Sequence, residues 1–408
     1  MKTDELIKSK KLCCGCGACV DICTKKAIEF YTDNRGFDFP AINSDLCIGC
    51  GQCYKICPIK NTSNYHSAIH SYAAISKDTN LLERSSSGGF FSSIAKRMIE
   101  NGWCVSGAVT DFLNGVCYTH HIICDNLSEL EKIQGSKYVQ SDTEGIFGEI
   151  KVALKEGKKI LFSGTPCQVD ALYHYLHGNN IENLFTIDII CHGVPGNEVL
   201  NKYLKVLEKN ISGTISGIQF RDKELSGWGL KGTVEFCRKG KKRKSLLIPK
   251  LSSYYSFFLD GTIYRDSCYE CKYANEHRIS DITIGDYWGI EEEHPELCKS
   301  WGGDKGVSCV IVNTNKGYEL LKKYGEYIDY RETSIEKIAR HNGQLVHSSK
   351  KTEETAKVQK MVEDSGYKAA DEYFLNSKRY KRFVVLWYRM PFYLQVILTR
   401  MVDKIKKR

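Results

Sequence analysis

A small α+β module followed by a larger α/β domain with a mixed sheet is the fold class that this 408-residue sequence predicts. Three observations carry the prediction. Two identically spaced cysteine runs occupy the first sixty residues, around short strand-like stretches. From about residue 70 to residue 210, apolar strand-like and helix-like segments alternate. Only 7 prolines are present, which leaves little room for long structureless linkers, and the length allows two or three domains with full cores.

The first run, "CCGCGACVDIC", places Cys13, Cys16, Cys19 and Cys23 as C-x2-C-x2-C-x3-C. The second, "CIGCGQCYKICP", repeats that spacing at Cys47, Cys50, Cys53 and Cys57 and ends in Pro58. Between them "AIEFY", "DNRG" and "FDFPAI" read as strand, turn and strand. This is the α+β ferredoxin-like arrangement of compact bacterial two-cluster proteins, in which the fourth cysteine of each run ligates the other run's cluster. Cluster one then takes Cys13, Cys16, Cys19 and Cys57; cluster two takes Cys47, Cys50, Cys53 and Cys23. Two-residue gaps let three thiolates wrap one face of a cubane. Gly15, Gly17, Gly49 and Gly51 let backbone amides approach the sulfurs. Structural zinc also uses C-x2-C pairs, but it gives no reason for two identical quartets with an exchanged fourth member. Cys14 reads as a bystander, and Thr24 stands where many such runs have proline.

After a polar linker near "NTSNYHS", "SYAAISK" reads as a strand and "GGFFSSIAKRMIENG" as an amphipathic helix. Strands follow at "WCVSGAVT" and "VCYTHHII", then a helix near "GIFGEIKVALKEG", a strand at "KKILFSG" and a helix from Thr165. "LFTIDIIC" is a nearly continuous apolar strand. No G-x-G-x-x-G follows any of these strands, so a Rossmann dinucleotide site has no support.

Four stretches carry chemistry beyond the fold. "ERSSSGGFF" gathers hydroxyls and bare amides at a helix start, which suits a phosphate and equally suits a capped, flexible loop. "FSGTPCQVDAL" puts Cys167 at a strand-to-helix turn, where ligand sites of α/β sheets collect. "IICHGVPG" ends a buried strand at Cys191, and "DSCYECKYANEHRISDITIGDYWG" supplies Cys268 and Cys271. Those four thiols form a third candidate quartet; free thiols are the alternative. The other cysteines, Cys104, Cys117, Cys124, Cys237, Cys298 and Cys309, read as small hydrophobes. His192 and His277 are candidate proton donors, or structural hydrogen-bonding residues.

The ordered motifs "RSSSGGF", "GSKYVQS", "FSGTPCQ", "CHGVP", "CYECKYANEHRISDITIGDYWG" and "DKGVS" resemble the coenzyme F420 hydrogenase/dehydrogenase β-subunit family over about residues 70–315. Plant 7-hydroxymethyl chlorophyll a reductase is similar, so the scaffold is not restricted to F420. The resemblance implies an oxidoreductase that binds FAD beside an extra [4Fe–4S] cluster. It assigns Ser86, Ser87, Gly88, Gly89, Lys137, Tyr138, Gln140, Thr165 and Gln168 to the FAD site. It also puts Asp286, Trp288 and Lys305 at or near the flavin, and Cys167, Cys191, Cys268 and Cys271 on the third cluster. The expected function is electron transfer between [4Fe–4S] clusters, fed by ferredoxin or another redox protein, and a small-molecule hydride donor or acceptor such as coenzyme F420. A ferredoxin-dependent reductase of another biosynthetic substrate, or a non-catalytic electron-transfer subunit, are the alternatives.

The organisation expected is a ferredoxin module at residues 1–62, the FAD and iron–sulfur body at 70–376, and a basic amphipathic tail at 377–408. That tail holds ten Lys or Arg against one Asp, which accounts for the whole net charge of +9. The excess therefore does not mark a nucleic-acid-binding body. The tail's longest uncharged run, Met390 to Thr399, is too short to span a bilayer. It suits a helix lying on an anionic membrane surface, kinked at Pro391, or one docked on the body or a partner. Met1 to Lys11 is polar and reads as no secretory signal, so the 19 cysteines are expected in a reducing cytoplasm, with peripheral membrane contact through the tail.

Overall fold

The two cysteine runs fold alike because their glycines do. Gly15 and Gly49 (φ 65° and 68°), like Gly17 and Gly51 (φ 74° and 72°), adopt the left-handed conformation that side chains disfavour. Each run then enters a one-turn helix, Ala18–Asp21 or Gln52–Lys55. Between them β1 (Ile28–Thr32) and β2 (Asp38–Ile42) pair antiparallel, with Ile28 opposite Ile42. Asp33 closes the hairpin, its Oδ1 accepting from the amides of Arg35 and Phe37. The computed structural model describes residues 10–179, 181–223, 227–377 and 381–406.

The body carries an eight-stranded mixed sheet. Its strands are β3 (His70–Ser76), β4 (Trp103–Leu113), β5 (Val116–Cys124), β6 (Lys159–Gly164) and β7 (Leu184–Ile189). After a second, smaller sheet come β11 (Ile282–Asp286), β12 (Ser308–Val312) and β13 (Ile328–Thr333). The order is β13-β3-β12-β11-β7-β6-β4-β5. Neighbours β11, β7, β6 and β4 run parallel, while β3, β12, β13 and β5 pair antiparallel. Apolar runs such as β12, buried at every residue, follow from cover on both faces. On one face the Phe90–Glu100 helix packs Phe90, Ile94 and Met98 against Val105, Leu161 and Phe185. On the other the Ile146–Lys155 and Pro166–Leu176 helices pack against Ile160, Phe162 and Leu184. β6 and β7 end side by side, Gly164 opposite Asp188, so the turns that follow share one edge of the sheet.

The smaller sheet begins just past the stretch, to about residue 210, over which strands and helices were expected to alternate. It consists of β8 (Thr214–Gln219), β9 (Gly232–Arg238) and β10 (Lys241–Leu247), all antiparallel. Lys239 and Gly240, both at positive φ, form the two-residue turn of the β9–β10 hairpin. The sheet shares a core with the helices Asn197–Ile211, Glu353–Ser365, Tyr367–Ser377 and Lys381–Arg389. The tail thus docks on its own body, burying Val384, Trp387 and Tyr388, and the chain breaks at Pro391 before a last helix, Phe392–Lys406. Among the described residues no helix is long and apolar enough to cross a membrane.

Candidate functional site

One cavity of about 720 Å³ opens along the shared edge of the sheet. Its first wall is the loop between the Thr79–Arg84 and Phe90–Glu100 helices. Gly88 sits where a Cβ would stand 2.2 Å from the Ala74 carbonyl oxygen and 2.5 Å from the Ser308 amide, so only glycine fits. Gly89 caps the second helix at φ 79°. Three loop carbonyls are held in place. Arg221 Nη2 donates to Ser86 O (3.0 Å), Lys223 Nζ to Ser87 O (2.7 Å) and the Ser76 amide to Gly88 O (2.7 Å). Among the described residues the amides of Ser86, Ser87 and Gly89 meet no acceptor. Bare amides ahead of a helix start form a cradle for an anion.

Arg221 organises the next wall. Its guanidinium grips both oxygens of Asp286 (2.9 and 3.2 Å), donates to Tyr138 OH (3.3 Å) and lies 5.4 Å from the Trp288 ring centre. Burial would lower its pKa, but Asp286 and Tyr138 outweigh burial and hold it above the ordinary value. Trp228 Nε1 donates to Asp286 Oδ1 (2.7 Å) while its ring stacks on Trp288 at 4.6 Å. Lys223, which also reaches Lys305 O, is pulled down to about 7 by burial. Two buried polar atoms on the cavity wall, Arg221 Nε and His121 Nδ1, meet no partner among the described residues. His121 donates through Nε2 to Ser163 O, and burial lowers its pKa to about 4, so its free Nδ1 is an acceptor.

Thiols line the remaining wall. Cys167 follows β6 in the first turn of its helix, behind a Thr165–Gln168 capping box; Cys191 follows β7; Cys268 and Cys271 flank the end of a short helix, Asp266–Tyr269. All four face the cavity. Burial, then the charges of Cys268, Cys167 and Cys271, push Cys191 well up; burial, then Cys271 and Cys167, push Cys268 to about 12, and burial, then Cys167, push Cys271 to about 11. In the N-terminal module the same influence crosses between the runs. Burial, then Cys13, Cys57 and Cys53, raise Cys19, while burial, then Cys50, Cys23 and Cys47, raise Cys53. Four thiolates buried together repel one another, and the positive charge of bound irons is what relieves that repulsion, so the donor sets fit clusters. Among the described residues no three His, Cys, Asp or Glu side chains gather tightly enough for a single metal ion.

Cys14, read from sequence as a bystander, lines the cavity, and Cys16 first, then burial, raise its pKa while Cys167 opposes them. Other residues expected at the flavin are brought together unequally. Ser86, Ser87, Gly89, Tyr138, Asp286 and Trp288 line the cavity, and Gly88 supports it from behind. Lys137 lines it too, but its ammonium caps the Leu127–Ile133 helix through the carbonyls of Lys132, Ile133 and Gln134 (2.7–2.9 Å), and burial lowers its pKa to about 7. Gln140 Nε2 donates to the carbonyls of Cys14 and Gly15, and Gln168 is spent on Thr165 and Ser141. Lys305 lies outside the lining. His192 is on the wall, its pKa lowered by burial against the opposing pull of Asp286, whereas His277 is outside and meets Ser67. Sequence reasoning missed Arg221, Lys223 and Trp228, which sit in the β8–β9 connection with no spacing to mark them.

Residues 157–362 match the C terminus of the coenzyme F420 hydrogenase/dehydrogenase beta subunit, and residues 12–61 match the 4Fe–4S dicluster domain. No curated protein matches the chain. Among solved structures, a chain of the F420-reducing [NiFe] hydrogenase complex from Methanosarcina barkeri is similar at 13% identity and a TM-score of 0.45, over 74% of this chain and 95% of that one.

Proposed function

The chain belongs to the coenzyme F420 hydrogenase/dehydrogenase β-subunit family and carries a two-cluster 4Fe–4S domain, and from that premise we propose that it is an FAD-dependent iron–sulfur oxidoreductase acting on a small-molecule hydride carrier. One observation supports this reading above the others: the thiol quartet and the Ser–Gly amide cradle line one continuous cavity. A pocket of that size and mixed chemistry suits a cofactor.

Cys13, Cys16, Cys19 and Cys57 would hold the first cluster, Cys47, Cys50, Cys53 and Cys23 the second, and Cys167, Cys191, Cys268 and Cys271 a third. Ser86, Ser87 and Gly89 would hold the FAD diphosphate through their amides. Arg221 and Lys223 keep that loop in place by its carbonyls, and Asp286 keeps Arg221 in place. Tyr138, stacked on Phe258 at 4.2 Å, and Trp288 give the cavity flat apolar surface that excludes water. When bound, FAD supplies two-electron hydride chemistry and the clusters supply single-electron transfer with a redox-protein partner. Burial lowers the pKa of His192 against the pull of Asp286, which favours its imidazole as a proton acceptor on the cavity wall.

The test is flavin, iron and acid-labile sulfide per chain in protein purified without oxygen. About 12 irons and one FAD are expected; about 8 irons and no flavin would overturn the reading. Reduced coenzyme F420 is then the first hydride carrier to try.

A further inference from the structure

Most of the last helix's apolar residues face outward. An amphipathic helix on a protein surface turns its apolar stripe to the core, and Phe392–Lys406 packs only Phe392 and Val396 there. Between them its inward face is polar. Gln395 is fully buried, accepting from the Leu246 amide (2.8 Å) and donating to Trp387 O (2.6 Å) and Ser245 Oγ (3.0 Å). One turn on, Thr399 is buried and donates to Gln395 O, and Asp403 pairs with Lys231. The outward face is Tyr393, Leu394, Ile397, Leu398, Met401 and Val402, at the i, i+1, i+4, i+5 spacing of one continuous helical stripe. Tyr393 is 63% exposed and Met401 56%. The preceding helix adds Phe383 and Leu386, exposed opposite its docked Val384, Trp387 and Tyr388.

Contiguous apolar surface held out to solvent by a hydrogen-bonded inner face marks an interaction site. Its surroundings name the partner. Residues 377–408 carry ten cations and one acid, and that acid, Asp403, is already paired with Lys231. Arg382 and Arg389 stand exposed on the same helix as Phe383 and Leu386. Apolar side chains with an aromatic component and a basic border match the boundary between acyl chains and anionic headgroups. We propose that the C-terminal helix pair is a peripheral membrane anchor that lays its apolar face on an anionic lipid bilayer. Its gain comes from burying the stripe while its cations meet the headgroups, whatever chemistry the cavity performs.

Flotation of the purified full-length protein with vesicles tests this. Phosphatidylglycerol–phosphatidylcholine vesicles should carry the protein, and pure phosphatidylcholine should carry much less. The double variant I397D/M401D, altered only on the exposed face, should bind anionic vesicles about tenfold less while its iron content and melting temperature stay unchanged. R382E/R389E should lose the preference for anionic lipid. Absence of wild-type binding to the anionic vesicles, or undiminished binding by I397D/M401D, would overturn the anchor. A wild-type dimer that I397D/M401D converts to monomer would overturn it too, because a second copy would then be what covers the stripe.

Discussion

Arg221 and Asp286 are opposite charges, the first buried and the second mostly so, and the cost of losing one is set by the charge left behind. Arg221→Met strands the Asp286 carboxylate and should cost about 3–5 kcal/mol in a denaturant melt. Arg221→Met combined with Asp286→Asn should recover most of that, because an amide still accepts from Trp228 Nε1 and carries no charge. Flavin retention should fall in both variants, since both release Ser86 O. Gly88→Ala tests the loop itself: a Cβ at 2.2 Å from the Ala74 carbonyl must push β3 from the loop, a loss of about 1–3 kcal/mol by overpacking together with lost flavin. The glycine was legible in sequence as part of "SSSGG". Arg221 was not, because its partner Asp286 lies 65 residues away and only the fold brings them together.

At the scale of elements, the cysteine runs are the most legible part of the chain, because C-x2-C spacing fixes ligand geometry within one turn. Cys57→Ser should remove roughly four irons per chain, and Cys14→Ser should remove none. Iron analysis of the two variants checks both, and a lost cluster in Cys14→Ser would mean that this thiol is a ligand. The inner quartet was harder to read. Cys167 and Cys191 meet because β6 and β7 are parallel neighbours, and that adjacency is a property of the sheet order. Strands β3 and β7 were legible as apolar runs buried on both faces, and the edge strand β5 as a strand that alternates exposed and buried residues in its first half. The small sheet was not: β10 opens with "KKRK", exposed charges that mask its buried Ser245, Leu246 and Leu247.

In the whole molecule, the module and the body behave as one electron-transfer unit only if the distance between them is fixed, and Arg265 fixes it. This residue, 2% exposed, donates to the carbonyls of Cys13 (3.3 Å) and Asp38 (2.9 Å) and to Gln140 Oε1 (3.0 Å), and lies over the rings of Phe37 and Phe39. Gln140 in turn holds the carbonyls of Cys14 and Gly15, and Arg35 pairs with Asp266 beside it. The clamp therefore runs from the loop of the first cysteine run to the helix that carries Cys268. Gly196 presses so close that a Cβ there would stand 1.9 Å from the Gly36 carbonyl oxygen, which leaves no slack at the seam. Arg265→Met removes the donors but not a ligand or a cavity wall. Its iron and flavin contents should match the parent protein, while flavin reduction by reduced ferredoxin in a stopped-flow trace should slow by about tenfold, because a seam that opens by even a little misplaces the partners. Unchanged reduction at full cofactor content would mean that electrons enter the body without crossing that seam.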